Sequence, residues 1–395
     1  MSFFRSPRLR RAVLGVVVLA CLAATYSLWR HRYGGPTDGA LSPHVEQAPD
    51  PAGWSDLDGT RNATGTNREP LLRAALVALV RNSELDGMRG TVRQVEDRFN
   101  RNYGYPYIFL NDEDFSEEFK RGIRAMTSAP VHFGKLPKEH WGLSPYVTED
   151  KVKEALERNK DRYIYGGSYS YRLMCRYQSG FIHKHPLLKD LDYYWRIEPD
   201  VKYFCDITYD PFRFMRDNNL TYGFTITPLE FSETVETLWD TTRRWMIENP
   251  HHLPEKSLIH WVVNEKAEYT RCHFWSNFEI VDLSLYRSAA YESYFQHLDR
   301  AGGFFYERWG DAPVHSFAAA LLLRKEQIHW FEDIGYHHPG YSHCPNKPEM
   351  AARCVCNGDH DYMNSRSLCR RRFGEVGDIY RSQALELAHM PDQKE

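Results

Sequence analysis

A hydrophobic run without charges at residues 12–29 constrains the fold of this chain more than any other segment. As a helix rising about 1.5 Å per residue, it is just long enough to cross the hydrocarbon core of a bilayer, which is about 30 Å thick. Four arginines precede the run, whereas two follow it closely. Because positive charge favours the cytoplasmic side, we expect residues 1–11 to be a cytoplasmic tail and the body of the protein to lie in a secretory lumen.

A cleaved signal peptide is an alternative interpretation of the same run. The hydrophobic part of a signal peptide is normally shorter and ends in a cleavage site with small residues. This run instead ends in Tyr26-Ser27-Leu28-Trp29, and aromatic residues are typical of the membrane interface. We therefore favour a retained single-pass anchor that holds the protein at a membrane.

The remainder of the chain divides into a linker and one predicted domain. Residues 30–69 are rich in Gly, Pro, Ala, Asp, Thr and Asn and lack apolar periodicity, which indicates a flexible stem. Residues 70–395 can bury one large core, so a single large lumenal domain is expected. The formal net charge of −3 creates no field that would attract nucleic acid, and we exclude nucleic acid as a partner.

Aromatic residues make up 14% of the chain, with 25 Tyr, 21 Phe and 10 Trp. Amphipathic rings suit the faces of sugars, but a large aromatic core explains the same composition equally well. The composition therefore leaves both interpretations open.

The order of elements at the start of the domain predicts a β-α-β unit. Residues 71–80 are a compact apolar run, which by itself fits a buried helix as well as a buried strand. A helix with one polar face is predicted over residues 85–100, and a second short apolar strand over 107–110. This order makes the first run a strand and implies an α/β sheet with right-handed crossovers.

The same reasoning assigns the rest of the domain. Further strands are predicted at 129–133, 193–197, 201–207, 223–227 and 278–281. Further helices are predicted at 148–162, 228–249, 288–301 and 312–323. The segment from Gly335 onward carries most of the remaining Pro, Cys and His residues and is predicted to be loop-like.

Cysteines are frequent after the hydrophobic run. They are Cys175, Cys205, Cys272, Cys344, Cys354, Cys356 and Cys369. A secretory lumen permits disulfides, and the odd number leaves at least one cysteine free or paired between chains. The pair Cys354 and Cys356 lacks the C-x-x-C spacing of a zinc site, so we expect it to bridge the C-terminal segment structurally.

The sharpest motif is Glu198-Pro199-Asp200, which follows the predicted apolar strand at 193–197. Two carboxylates at the end of a strand suit a hard divalent cation, because Mg²⁺ and Mn²⁺ bind one or two carboxylates while a diphosphate fills other positions. A solvated turn with an ordinary salt bridge to Arg196 is the simpler alternative.

Glu279 is a second candidate, because it is a lone acid in an apolar sequence, flanked by Phe278 and Ile280. Burial in such surroundings perturbs a carboxyl group, and perturbed acids are frequent at active sites. An exposed Glu on an alternating strand fits the same sequence equally well.

An aspartate and a group of histidines complete the candidates. Asp311 precedes a predicted helix that has Pro313 in its first turn, so capping this helix is the simplest role for the aspartate. The histidines His337, His338 and His343 lie close together in the sequence. They could ligate a metal, or they could be histidines of a lumenal loop without a function.

Five longer motifs lie between residues 70 and 344. They are A-L-V-R-N-S-E-L-D-G-M, Y-R-L-M-C-R-Y-Q-S-G, H-P-L-L-K-D-L-D-Y-Y-W-R-I-E-P-D-V-K-Y-F-C-D-I, C-H-F-W-S-N-F-E-I and D-R-A-G-G-F-F-Y-E-R-W-G-D-A-P-V-H. Together they resemble the fungal α-1,2-mannosyltransferases of the secretory pathway, known as glycosyltransferase family 15. The resemblance implies a type II membrane protein with a lumenal catalytic domain, which agrees with the predicted anchor.

The resemblance also implies a GT-A type fold, in which a Rossmann-like mixed sheet flanked by helices binds a diphosphate sugar through a metal. The metal lies at a modified D-x-D motif, which is E-P-D in this sequence. Glu198 is implied as the direct ligand of Mn²⁺, and Asp200 as an assisting residue. His338 is implied to complete the site, although the adjacent His337 is the alternative.

The reaction implied by the resemblance retains configuration, because both GDP-α-mannose and the α-1,2-linked product are α. Two routes are open, a double displacement through a carboxylate or departure and attack on one face within an ion pair. Glu279 is implied as the nucleophile, and Tyr171 would orient donor or acceptor through its hydroxyl. Asp311 would bind the transferred mannose, and Arg81, just after the first strand, would contact the GDP portion.

The expected function is therefore transfer of mannose from GDP-mannose to the 2-hydroxyl of a terminal mannose on N- or O-linked glycans, by a Mn²⁺-dependent enzyme of the Golgi membrane. Transfer of mannose-1-phosphate, known for some relatives, is the alternative within enzymes. A non-catalytic mannose-binding partner of a sister transferase is the alternative outside them, and the intact set of candidate site residues argues against it.

Overall fold

The computed structural model describes residues 70–391. Its strands in chain order are β1 (Ala74–Leu79), β2 (Tyr107–Asn111), β3 (Val131–Lys135), β4 (Tyr193–Arg196), β5 (Lys202–Tyr203), β6 (Tyr222–Phe224), β7 (Lys256–Ser257), β8 (Glu279–Asp282), β9 (Ile328–Trp330), β10 (Tyr336–His338), β11 (Tyr341–His343) and β12 (Ile379–Tyr380).

The helices of the described residues are α1 (Leu85–Arg98), α2 (Glu117–Arg124), α3 (Glu149–Asn159), α4 (Tyr169–Gly180), α5 (Pro211–Asp217), α6 (Leu238–Glu248), α7 (Ile259–Val262), α8 (Ser284–Arg287), α9 (Ala289–Ala301), α10 (Gly303–Tyr306), α11 (Asp311–Leu322), α12 (Pro348–Ala351), α13 (Leu368–Glu375) and α14 (Arg381–His389). Short 3₁₀ helices lie at Asn82–Glu84, Asn100–Asn102, Ile182–Lys184, Ser232–Thr234, Pro250–His252, Lys325–Gln327 and Gly358–His360.

A seven-stranded mixed sheet forms the centre of this structure, with the strand order β3-β2-β1-β4-β8-β6-β9 and helices around it. Strands β1 to β4 are parallel to one another, while β8 runs antiparallel to both of its neighbours. The predicted β-α-β unit is confirmed, since Leu76 lies opposite Tyr107 in the parallel pair of β1 and β2. The carboxyl ends of four parallel strands thus share one edge, which is where α/β sheets commonly bind ligands.

Side-chain caps explain where several helices begin. The hydroxyls of Ser116, Ser168 and Ser288 accept hydrogen bonds from backbone N–H groups in the first turns of α2, α4 and α9. Asp210 caps α5 in the same way, just before Pro211. Such caps satisfy N–H groups that have no partner within the helix, and each contributes about 1 kcal/mol.

Aromatic side chains fill much of the core. Trp195 of β4 is completely buried, and its ring lies 5.4 Å from the ring of Phe99 and 5.3 Å from that of Phe278, measured between centroids. Trp245 and Trp261 are also completely buried. The high aromatic content is therefore in large part a property of the core.

After Gly335 the chain forms two strands of a second, three-stranded sheet with the order β11-β10-β5. Tyr336 of β10 lies opposite Tyr203 of β5, and its ring packs against Phe278 at 5.3 Å between centroids. Gly340 has a φ of 113°, a conformation that suits glycine, and allows the tight reversal between β10 and β11. This hairpin holds His338 in a fixed position.

Of three disulfides in the described structure, two tie the C-terminal segment to the rest of it and the third lies within that segment. They are Cys205–Cys354, Cys272–Cys369 and Cys344–Cys356. Cys175 is buried and is the free cysteine among residues 70–391. The expectation that Cys354 and Cys356 bridge this segment structurally is confirmed.

Two predicted elements near the site are wrong. The strand predicted at 201–207 is reduced to β5, which leaves the main sheet because the chain turns at Asp200, where φ is 61°. The helix predicted at 228–249 begins only at Leu238. The residues before this helix pair with a distant segment instead. The backbone N–H of Glu230 donates to the carbonyl oxygen of Arg271 at 2.8 Å.

The prediction of a loop-like segment after Gly335 is also wrong, because this segment contains β10 to β12 and α12 to α14. β10 and β12 pair with the distant strands β5 and β7, so the local sequence carries little signal for them. The sequence patterns also did not predict α2, α4, α5, α7, α8, α10, β7 or β9. The other predicted elements are present, with ends within three residues of the prediction.

The predicted anchor at 12–29 and the predicted stem at 30–69 lie outside the described residues. Within residues 70–391, no helix combines the length and the apolar character that crossing a membrane requires.

Candidate active site

The central sheet places two charged side chains opposite each other. Arg196 ends β4 and Glu279 begins β8, and the antiparallel register sets them directly opposite. Opposite residues in an antiparallel pair point to the same face of the sheet. On its other edge β8 pairs with β6, and Phe224 at the end of β6 lies opposite Glu279 there. The strand order therefore brings three distant segments of the chain to one place.

Arg196 is the centre of an ion-pair network at this place. Its Nε and Nη2 donate to Oε1 of Glu198 at 2.9 and 2.5 Å, and its Nη1 donates to Oδ2 of Asp311 at 2.5 Å. The residue is only 5% exposed. Burial opposes the charged form, but three neighbouring carboxylates, that of Asp311 foremost, raise the pKa of Arg196 well above its ordinary value. The guanidinium therefore stays charged between acidic side chains.

Glu198 and His338 meet at the open side of the network. Oε2 of Glu198 lies 3.2 Å from Nε2 of His338, and the two side chains are 23% and 24% exposed. The salt bridge to Arg196 that the simpler alternative includes is present, and the E-P-D turn is part exposed, with Asp200 at its exposed end. Burial favours the neutral acid, yet Arg196 and then His338 lower the pKa of Glu198 to about 2. The carboxylate is therefore ionised.

The hairpin determines which of the two adjacent histidines faces Glu198. Neighbouring residues of a strand point to opposite faces, and Nδ1 of His337 contacts Oγ of Ser342 at 2.8 Å instead. Nδ1 of His338 lies 3.3 Å from the carbonyl oxygen of Pro339, to which it can donate, so that the lone pair of Nε2 is available. His338 is thus the histidine at the site.

The pair of Glu198 and His338 fits a divalent cation. A carboxylate oxygen suits Mn²⁺, and a neutral imidazole is the commonest side-chain ligand of metals. Within residues 70–391, no cluster of three or more His, Cys, Asp or Glu side chains has a metal-binding arrangement. Two protein ligands leave positions on a cation for the oxygens of a bound substrate.

Glu279 is fully buried, and tyrosine hydroxyls donate to both of its oxygens. Oε1 accepts from Tyr194, and Oε2 accepts from Tyr222 at 2.7 Å. Nδ1 of His315 lies 3.0 Å from Oε2 and 2.9 Å from the hydroxyl of Tyr286. Burial, together with the charge of Glu279, raises the pKa of Tyr194 and Tyr222, so both phenols remain donors. The expectation of a buried acid is confirmed, and the exposed alternative is wrong.

Asp311 is held by side chains of other segments and does not cap the helix that it begins. It is the first residue of α11, whose N-cap is Gly310, so the predicted capping role is wrong. Its Oδ2 accepts from Oγ of Ser276 at 2.7 Å in addition to Arg196. Burial favours the neutral acid, but Arg196 and then His315 lower the pKa of Asp311. The network thus holds a second ionised carboxylate beside Glu198.

Tyr171 lies in the first turn of α4 at the edge of the network. Its backbone N–H donates to the capping hydroxyl of Ser168 at 3.2 Å. Its ring stacks on that of Tyr165 with 4.4 Å between centroids, and the guanidinium carbon of Arg308 lies 5.3 Å from its ring centroid. Burial is the main cause that raises the pKa of Tyr171, and the charge of nearby Asp311 adds to it. The hydroxyl therefore remains a hydrogen-bond donor.

Arg81 and Asp200 lie at the carboxyl edge of the sheet but at the periphery of the network. Arg81 is exposed in the loop after β1, where its backbone N–H donates to Glu84 at 2.8 Å. Asp200 is exposed and packs against the first turn of α1. A Cβ atom at Gly87 would lie 2.7 Å from Oδ1 of Asp200, so a larger residue there would displace the Asp200 carboxylate.

The sequence does not single out the side chains that hold these acids, which are Tyr194, Tyr222, Tyr286, Ser276 and His315. Two of them carry a signal that could have identified them. Tyr194 lies two residues before Arg196 on one strand and therefore shares its face. His315 lies four residues after Asp311 on one helix and therefore shares its side. The contacts of the other three depend on how strands and helices are ordered in space.

The fold and the site together define a mixed α/β protein with a buried acidic network at the carboxyl edge of its sheet and a carboxylate and histidine pair at the opening. The sequence profile of the family described as glycolipid 2-alpha-mannosyltransferase matches residues 48–378. This chain therefore belongs to that family, and the resemblance derived from its motifs is confirmed.

Named relatives agree with this assignment. Glycolipid 2-alpha-mannosyltransferase 1 of Candida albicans is 47% identical over 319 residues, which are 80% of this chain and 74% of the relative. Glycolipid 2-alpha-mannosyltransferase of Saccharomyces cerevisiae is 48% identical over 304 residues, which are 76% of this chain and 69% of the relative.

Two solved structures share the fold. The crystal structure of core-mannan synthase A from Aspergillus fumigatus, in a Mn/GDP form, superimposes with a TM-score of 0.73 at 40% identity and covers 85% of this chain and 92% of its own. The mannosyltransferase Ktr4p from S. cerevisiae, in complex with GDP, gives a TM-score of 0.71 at 37% identity and covers 82% of this chain and 83% of its own.

Proposed function

We propose that this chain is a retaining glycosyltransferase that moves mannose from GDP-mannose to the 2-hydroxyl of a terminal α-mannose on N- or O-linked glycans. The observation that carries the proposal is the contact between Glu198 and His338, at the opening of a network that also holds Glu279 and Asp311. These are the residues that the family resemblance implies. A GT-A type fold is part of the proposal, since the parallel strands β1 to β4 all end at the edge of the sheet where Arg196 ends β4.

Glu198 and His338 would hold Mn²⁺, with the remaining positions of the cation left for diphosphate oxygens of the donor. When bound, the cation stabilises the negative charge that develops on the departing GDP. Asp200 would assist from the end of the same turn. Arg81, exposed beyond the end of β1, would contact the GDP portion with its guanidinium, which suits phosphate.

Asp311 would bind the transferred mannose, and Tyr171 would orient the donor or the acceptor. Arg196 and Ser276 fix the carboxylate of Asp311 in its ionised form, so it can accept hydrogen bonds from sugar hydroxyls. The protonated hydroxyl of Tyr171 would donate to the donor or the acceptor. Because these side chains are fixed before the substrate arrives, the site would orient the anomeric carbon at little cost in ordering.

Glu279 would act on the anomeric carbon. In a double displacement its carboxylate forms a bond to C1 while GDP leaves, and the acceptor 2-hydroxyl then displaces the carboxylate and gives its proton to the diphosphate of the departed GDP. Both Glu279 oxygens accept hydrogen bonds, so attack requires the carboxylate to exchange one of them for the sugar. On the single-face route the carboxylate keeps these bonds and stabilises the positive charge at C1. Both routes retain the α configuration.

A product analysis tests the proposed function. The full chain, purified in detergent, is incubated with GDP-mannose and α-methyl mannoside in the presence of Mn²⁺ or EDTA. We expect a disaccharide that survives mild acid and forms only with Mn²⁺. An acid-labile phosphodiester would instead establish transfer of mannose-1-phosphate, and transfer that persists in EDTA would contradict the metal site.

We also propose that the enzyme is a single-pass type II protein of the Golgi membrane, with residues 1–11 cytoplasmic, 12–29 as the anchor, 30–69 as the stem and 70–395 as the lumenal catalytic domain. Three disulfides support a lumenal position, because such bonds persist in oxidising compartments. Protease treatment of intact microsomes tests the topology. The catalytic domain should be protected until detergent is added, and cleavage without detergent would contradict it.

A further inference from the structure

An open groove of about 590 Å³ lies along the C-terminal segment. Tyr341 and Tyr362 contribute its aromatic surface, and Asp359, Asn364 and Arg366 contribute polar side chains. Its volume falls within the range of about 300–1,000 Å³ that is usual for ligand sites. The ion-pair network around Arg196 contributes no side chain to this lining, so the groove is a separate feature.

One end of the groove adjoins the pair of Glu198 and His338. Gly340 and Tyr341 line the groove and follow His338 in the hairpin of β10 and β11. The ring of Tyr341 lies 5.3 Å from that of Trp275, which in turn lies 4.8 Å from the imidazole of His338, measured between centroids. A continuous line of rings therefore leads from the candidate metal ligands into the groove.

The lining has the chemistry of a site for a neutral sugar chain. The rings of Tyr341 and Tyr362 lie 4.2 Å apart between centroids at an angle of 49°, and they offer amphipathic faces. Exposed side chains of both signs, Asp359 and Arg366, can hydrogen-bond hydroxyl groups without favouring an anion or a cation.

One hydroxyl of the lining residues has no partner among the described protein atoms. Oγ of Ser367 is buried and makes no hydrogen bond within the protein. Buried polar groups are nearly always paired, so an ordered water or a ligand hydroxyl is the partner that this atom would take.

The wall of the groove is held in place before any ligand binds. Disulfides join Cys344 to Cys356 and Cys272 to Cys369, and the second of these ends on a residue of the lining. Asp361 accepts from the backbone N–H of Met363 at 2.9 Å and contacts Nδ1 of His343 at 3.1 Å. A wall fixed in this way binds with little loss of conformational entropy.

We propose that this groove binds the sugars of the acceptor glycan that precede its terminal mannose. This inference rests on the proposed mannosyl transfer. In it, the C-terminal segment selects acceptor glycans by their length. A short chain of α-linked mannose would lie across Tyr341 and Tyr362 with hydroxyls directed at Arg366 and Ser367, while its terminal residue reaches the catalytic network.

The experiment compares α-methyl mannoside with α-linked mannotriose as acceptors for the full chain in detergent. The ratio of kcat/KM for mannotriose to kcat/KM for α-methyl mannoside should exceed 1 in the wild type. This ratio should fall about tenfold in Tyr362→Ala and in Arg366→Ala, which corresponds to about 1.4 kcal/mol. Tyr380→Ala, at a tyrosine that is 50% exposed outside the groove, is the matched control and should keep the wild-type ratio.

The outcomes separate this inference from the proposed function. A wild-type ratio near 1, or an unchanged ratio in both groove variants, would overturn the groove as an acceptor site even if mannose transfer is confirmed. If the wild type transfers to neither acceptor, the proposed function fails, and binding of mannotriose is measured directly by calorimetry. If the wild type binds mannotriose and Tyr362→Ala does not, the groove is still supported as a sugar site. Equal binding by the wild type and Tyr362→Ala, or no binding by either, would overturn it.

Discussion

Nη1 of Arg196 lies 2.5 Å from Oδ2 of Asp311, and the two residues, 115 positions apart in the chain, are both buried. The same guanidinium donates twice to Glu198. One side chain therefore fixes both the carboxylate proposed to bind the cation and the one proposed to bind the sugar. Arg196 is therefore a positioning residue both for the cation and for the sugar of the donor.

The substitution Arg196→Lys tests this dual role. Lysine keeps the positive charge but lacks the planar fork, so it cannot hold Glu198 and Asp311 together. We expect kcat/KM for GDP-mannose to fall about 100-fold, which is about 2.7 kcal/mol, while the protein stays folded. Arg324→Lys is the control, at an arginine whose side chain is 52% exposed beside Glu326. Wild-type kinetics in Arg196→Lys would rule out the positioning role.

Loss of Glu198 should weaken donor binding through the cation. In Glu198→Ala, the carboxylate beside His338 is gone, so GDP-mannose should bind weakly whether or not Mn²⁺ is present. Isothermal calorimetry with Mn²⁺ and with EDTA measures both affinities. Glu117→Ala, at a side chain that is 70% exposed on α2, should behave like the wild type. Equal donor affinity in wild type and Glu198→Ala would contradict the metal assignment.

The buried acid Glu279 should matter for turnover and not for donor affinity. The substitution Glu279→Gln preserves the shape of the side chain but removes its negative charge, which either retaining route requires. We expect kcat to fall by at least about 1,000-fold, about 4 kcal/mol, with the Kd for GDP-mannose changed less than about threefold. Tyr286→Phe, which removes a hydroxyl that contacts His315, is the milder comparison. Substantial turnover by Glu279→Gln would remove Glu279 from the chemistry.

The disulfide between Cys272 and Cys369 should stabilise the fold, because it closes a loop with a sequence separation of 97. Replacement of both cysteines by serine should lower the free energy of unfolding by about 2–5 kcal/mol. Urea unfolding followed by fluorescence measures the change. Cys175→Ala, at the cysteine of residues 70–391 that has no disulfide, should cost less, and an equal loss in both variants would show that the disulfide adds nothing.

The predicted β-α-β unit and the predicted site residues depend on local patterns, and for that reason they could be recognised in the sequence. The run that forms β1, the polar-faced α1 and the short β2 carry their own periodicity. Glu198 and Glu279 stand out because each interrupts an apolar context. The motifs that surround them are the source of the roles predicted for Asp311 and His338, which stay predictions.

The parts that were wrong or missed depend on contacts between distant segments. Glu230 is held by the backbone of Arg271, which no helix pattern in the sequence reveals. β10 exists because it pairs with β5 and β11, and the choice of His338 over His337 follows from this pairing. The four donors around Glu279 come from separate strands and helices, so only the spatial order of these elements brings them together.

The most direct test of the account is the structure of the product. The full chain is incubated with GDP-α-mannose, α-methyl mannoside and Mn²⁺, and the product is examined by NMR for linkage and anomeric configuration. We expect an α-1,2-linked dimannoside that is absent in EDTA and absent with Glu279→Gln. A β-linked product, a different linkage, or donor binding without any transfer would contradict it.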